Sequence, residues 1–164
     1  WIVPRHPQRF DEVEQLLRAA GKNSDKKILR KSVLNELNVE QQAAELHTAD
    51  FVLGDTMGEM FAYYAIADVV LMGGTWLPYG GQNFLEPMAL GKPVWVGTSI
   101  YNFEQIGLDA LRSGVMWQAS NMAEALKRVP QPTWHITDTQ ALIKAFIHQR
   151  YGAIGRYGGL LFDV

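Results

Sequence analysis

Short apolar runs recur along the chain, and each ends at a proline, a glycine or a polar turn before a stretch with helical spacing begins. Trp1-Ile2-Val3 meets Pro4, Phe51-Val52-Leu53 stops at Gly54, and Val69-Val70-Leu71-Met72 stops at Gly73 and Gly74. Val94-Trp95-Val96 stops at Gly97, and Val115-Met116-Trp117-Gln118 follows Gly114. Ile28, Leu29 and Val33 in ILRKSV give a further short strand. Runs with so little alternation read as strands covered on both faces.

The intervening stretches have the 3.6-residue period. FDEVEQLLRAAG sets Phe10, Val13, Leu16 and Leu17 on one side, with acids early, Arg18 late and Gly21 as the stop. NELNVEQQAAELHTAD contains a polar helix. FAYYAIA turns Met60, Phe61, Tyr64 and Ala65 inward, with Asp55 or Thr56 as its cap. FLEPMAL, IGLDALRSG, NMAEALKRV capped by Asn121, and DTQALIKAFIHQRYG beyond Pro130 and Pro132 complete the set. Alternating strands and helices predict an α/β fold, a parallel sheet with helices on both faces.

Ligands in such sheets sit outside the carboxyl ends of the strands. That edge collects Arg5, stiffened between Pro4 and Pro7, then Thr56 to Glu59, then Gly74 to Glu86. In LMGGTWLPYGGQNFLEP the glycines allow close backbone approach, and Asn83 caps the helix that follows. Exposed helix amino termini and an arginine suit a phosphate. A carboxylate beside an anion must face something else, and vicinal ribose hydroxyls are one solution. Glu86 is well placed for them. Glu59 either shares that role or only compensates a helix dipole. Glycines at strand ends also serve sheet geometry alone, so a noncatalytic interaction module stays open.

Composition narrows this further. The 164 residues suffice for one domain, 1–164, with the Gly-rich tail from about 151 unassigned. A net charge of −2 gives no global field for nucleic acid. There are no cysteines, no basic-then-apolar leader, and no apolar run near the roughly 18 residues of a membrane helix. His6, His47, His135 and His148 are scattered, and no dinucleotide fingerprint, P-loop or nucleophile elbow occurs. A start at Trp1 inside a strand reads as part of a longer protein, with an open sheet edge that invites pairing with another copy.

PRHPQRFDEV, GDTMGEM, GGTWLPYGGQNFLEPMALGKPVWVG and NFEQI, in this order, resemble the carboxyl-terminal half of bacterial 3-deoxy-D-manno-octulosonic acid (Kdo) transferases over roughly residues 1 to 128. The resemblance implies a Rossmann-like domain, half of an inverting GT-B glycosyltransferase that moves Kdo from CMP-Kdo to the lipid A precursor in lipopolysaccharide biosynthesis. It implies CMP contacts from Pro4, Arg5, Met57, Gly58, Glu59, Asn83, Phe84, Leu85 and Glu86, with no metal or cofactor. The catalytic carboxylate, the acceptor site and most of the membrane contact would belong to the amino-terminal half, at the cytoplasmic face of the inner membrane. A GT-B transferase or epimerase half that takes a UDP-sugar is the nearest alternative.

Overall fold

The computed structural model describes residues 1–21, 25–129 and 136–160, with the backbone alone at 136, 137 and 151–160. Pro130, Pro132 and the last four residues lie outside that set. The chain forms two compact units, Trp1–Met60 and Phe61–Val164.

In the first unit β1 (Ile28–Arg30) pairs parallel with β2 (Phe51–Leu53), with Arg30 opposite Leu53. Ile2 forms a parallel bridge to Leu53, through its own N–H to the Val52 carbonyl at 2.8 Å and Gly54 N–H to its carbonyl at 2.8 Å. A strand has two edges, so β2 lies between β1 and Ile2. The expected strand at Trp1–Val3 shrinks to this bridge, because Pro4 has no N–H with which to continue the ladder.

A 3-10 turn at Pro7–Arg9 leads into α1 (Phe10–Ala20). Phe10, Val13 and Leu17 are half-buried, but Leu16 is 57% exposed, so the apolar stripe is narrower than the spacing predicted. ILRKSV does not stay extended. The strand stops at Arg30, and Lys31–Leu34 turns into α2, which buries Leu34 and leaves Val33 outside. α3 (Val39–Thr48) starts from a reciprocal cap: Gln41 N–H donates to Asn38 Oδ1 at 2.9 Å and Asn38 N–H to Gln41 Oε1 at 3.1 Å.

The second unit holds β3 (Val70–Leu71), β4 (Val94–Val96) and β5 (Trp117–Gln118) in a parallel sheet of order β3-β4-β5. The strands are parallel, as expected, but each unit has its own sheet where the sequence suggested a common one. β4 is central and wholly buried, and Trp95 stacks on Trp117 with centroids 6.3 Å apart.

The helices are α4 (Met60–Ile66), α5 (Leu85–Ala89), α6 (Glu104–Arg112), α7 (Met122–Arg128) and α8 (Ile136–Leu160). Ile143, Phe146 and Ile147 of α8 join Phe84, Met88, Val94 and Ile106 in one core. Each such side chain contributes roughly 1.5–3 kcal/mol by leaving water. The last amphipathic helix is therefore part of the fold's core. α4 corrects the predicted inner face: Tyr63 is its buried residue, while Phe61 is 41% exposed and Ala65 also faces out. Among the described residues no helix is long and apolar enough to cross a membrane.

Candidate ligand site at the strand ends

In Trp1–Met60 the parallel pairing sets the carboxyl ends of Ile2, β1 and β2 along one edge. Pro4, half-buried, and Arg5, exposed, follow the first of these, while Gly54 to Glu59 follow β2. Asp55 does not cap α4, which begins only at Met60. Its carboxylate, 4% exposed, accepts from Ser32 N–H at 2.8 Å, Ser32 Oγ at 2.6 Å and Arg30 Nε at 2.8 Å. It therefore closes the first turn of α2. The alternative cap failed because parallel neighbours bring Arg30 to Ser32 alongside the end of β2, which local spacing does not reveal. Burial pushes the Asp55 carboxyl up, and the Ser32 hydroxyl, the Ser32 N–H and the Arg30 guanidinium together hold it below the ordinary value.

The segment beyond is open. Met57 is 63% exposed, Gly58 is exposed and Glu59 is half-buried. Gly58 has φ +83°, and a Cβ there would meet nothing within 4 Å, so the backbone conformation is the reason for glycine at this position. Thr56 Oγ1 donates to Glu59 Oε2, and Lys31 Nζ lies 3.8 Å from Glu59 Oε1.

In Phe61–Val164 the glycine loop leaves the end of β3 and is tied at its neck, by Gly81 N–H to Gly74 O at 3.1 Å and Gln82 N–H to Gly73 O at 3.3 Å. Thr75 is fully buried. Its hydroxyl donates to Met72 O at 2.6 Å and accepts Gly97 N–H at 2.8 Å, and its carbonyl accepts Ser99 N–H at 2.9 Å. On the far side Gly80 N–H donates to Ser99 Oγ at 3.0 Å, and Asn102 Nδ2 donates to Tyr79 O at 3.1 Å and Gly81 O at 3.3 Å. Gly80 has φ +76°, and a Cβ there would lie 2.5 Å from the Tyr101 ring.

The loop delivers Asn83 to the start of α5. Its Oδ1 accepts Leu85 N–H at 3.2 Å and its Nδ2 donates to Glu86 Oε1 at 3.0 Å. Phe84, not Asn83, occupies the cap position, and no side-chain hydrogen bond caps the helix there. The Phe84 ring is fully buried, edge-on to Phe103 at 5.4 Å, so it can offer a ligand only its main chain. Leu85 packs against the core, and Glu86 is half-buried. The Tyr64 phenol is pushed up to about 12 by burial and by the charge of Glu86.

Glu59, just before α4, and Glu86, in the first turn of α5, are each held by a polar side chain three residues earlier, Thr56 and Asn83 respectively. α4 and α5 are too short to sum many peptide dipoles. The sequence reading missed Lys31 and Ser32, which carried no local signal, and Asn102, whose only signal was its place in NFEQI.

No family model matches the chain. It is 40% identical over 129 residues to a 3-deoxy-D-manno-octulosonic acid transferase of Bordetella pertussis, a match covering 76% of this chain and 27% of that protein. A transferase of the same name from Haemophilus influenzae is 35% identical over 127 residues, 77% of this chain and 27% of that one. The matched part thus spans about a quarter of the length of these relatives, at 27% of each. The crystal structure of the C-terminal CMP-Kdo binding domain of WaaA from Acinetobacter baumannii matches 99% of this chain and 73% of that one, with TM-score 0.63 and 25% identity. By sequence and by fold, the chain belongs to the 3-deoxy-D-manno-octulosonic acid transferase family.

Proposed function

We propose that this chain is the donor-binding part of an inverting glycosyltransferase that moves Kdo from CMP-Kdo to the lipid A precursor. The observation that carries the reading is the match, over 99% of the chain, to a domain described as binding CMP-Kdo. On this reading the CMP contacts are Pro4, Arg5, Met57, Gly58, Glu59, Asn83, Phe84, Leu85 and Glu86. Arg5 and the loop N–H groups take the phosphate, whose charge grows as CMP leaves. Glu86 accepts the ribose hydroxyls, and Phe84 contributes its main chain. The catalytic carboxylate, the lipid A precursor and the contact with the cytoplasmic face of the inner membrane belong to the rest of the full-length protein, so this chain binds donor without transferring it.

Titrating the chain with CMP while recording amide shifts is expected to move Arg5, Gly58 and Asn83 first, at up to millimolar nucleotide, with UDP weaker. Glu86→Ala is expected to weaken CMP by about tenfold, the loss of a hydrogen-bonded charge. Unmoved resonances at millimolar CMP refute the reading, and a preference for UDP replaces the donor with a UDP-sugar.

A further inference from the structure

We infer that Lys31 is a positioning residue for the ligand site, holding the Glu59 carboxylate ready for a nucleotide's hydroxyls. The inference rests on the CMP reading of that site. Lys31 is in α2, at the end of β1, and the parallel pairing of β1 with β2 brings it beside the loop that carries Met57 to Glu59. Its Nζ lies 3.8 Å from Glu59 Oε1, while Thr56 Oγ1 donates to the other oxygen, Oε2. Asn35 Oδ1, at the residue that follows α2, accepts a hydrogen bond from the same ammonium.

With a hydroxyl donating to one oxygen and a cation beside the other, the Glu59 carboxylate is biased toward one orientation about its terminal bond. The Lys31 side chain is 21% exposed and that of Glu59 is 36% exposed, so the pair is shielded on the lysine side and open on the acid side. That asymmetry suits preorganisation: the ligand meets an acceptor whose rotamer entropy has already been lost in folding. It favours a ligand-facing role for Glu59 over compensation of the dipole of α4, which spans only Met60–Ile66.

The test is a double-mutant cycle on CMP affinity in the whole chain. Lys31→Met is expected to weaken CMP about fivefold, the scale of a partly exposed ion pair. Lys31→Arg, which keeps the charge, is expected to stay near wild type. In a Glu59→Gln background Lys31→Met is expected to change CMP affinity no further, which a general loss of structure could not mimic. An unchanged affinity in Lys31→Met, or the same fivefold loss with Glu59 already replaced, overturns the role of Lys31 while leaving the CMP site intact. A wild-type chain that fails to bind CMP at all overturns the nucleotide reading and this role together.

Discussion

Replacing Gly97 by alanine is expected to destabilise the Phe61–Val164 unit by about 3 kcal/mol or more, the upper end of overpacking effects. A Cβ at Gly97 would fall 2.3 Å from the carbonyl oxygen of Thr75, 2.6 Å from its carbonyl carbon and 2.7 Å from the N of Trp76. All three are backbone atoms, which cannot rotate out of the way. Relief requires the loop to lift away from the end of β4, and that breaks the bond from Gly97 N–H to Thr75 Oγ1 and strains the one from Ser99 N–H to Thr75 O. Urea unfolding followed by tryptophan fluorescence reads this directly, since Trp76, Trp95 and Trp117 belong to the affected unit. A midpoint within error of wild type shows that the loop accommodates the methyl group and contradicts close packing of Gly97 on Thr75.

Thr75→Val is the matching test of polarity without added bulk. The side chain keeps its shape and loses the hydroxyl, leaving Gly97 N–H and Met72 O without that partner in a fully buried place. The expected loss is about 1–3 kcal/mol, smaller than for Gly97→Ala.

Asp55→Ala is expected to cost the Trp1–Met60 unit about 2–3 kcal/mol, the penalty for stranding buried partners of a charged acceptor. Arg30 retains Asp11 at 2.8 Å and Glu14 at 3.4 Å, so its charge is not wholly orphaned, but Ser32 N–H loses its acceptor. Residue-resolved amide exchange is expected to quicken in β1, α2 and the segment from Gly54 to Glu59. The sign of the acid dependence follows from the shift. The Asp55 carboxyl titrates below the ordinary aspartate value in the fold. Its contribution is therefore complete above that ordinary value and disappears as pH falls through the lower, folded one. Asp55→Asn removes that part of the acid sensitivity, and an acid-unfolding curve that keeps its full steepness in the variant contradicts the assignment.

Much of the fold could be read locally. Strand ends marked by Gly54, Gly73 and Gly97, the cap at Asn121 that accepts Glu124 N–H at 2.9 Å, and the amphipathic α8 all follow from near neighbours in sequence. The interior of the site did not. Asp55 finds Ser32 and Arg30 across parallel strands, and a connection through α3 intervenes, so no window of a few residues contains both ends. Lys31 escaped for the same reason. Thr75 carried no signal of its own and is the buried pin between the ends of β3 and β4. The inner face of α4 was misassigned because several aromatics compete for a helix shorter than two full periods. For Asp55, Lys31 and Thr75 the deciding partner came from a different element.

The grip of Arg30, Lys31 and Ser32 on the loop after β2 has a further consequence for strand registration. Two of these three residues meet Asp55 and the one between them meets Glu59. Were β1 to slip by a single place along β2, all three side chains would move one position in the same direction, so the buried acid would lose its paired donors and Glu59 would lose the ammonium beside it. In a ladder of three rungs, where main-chain bonds alone discriminate poorly between alignments, this ordered triplet acts as a key that admits one alignment.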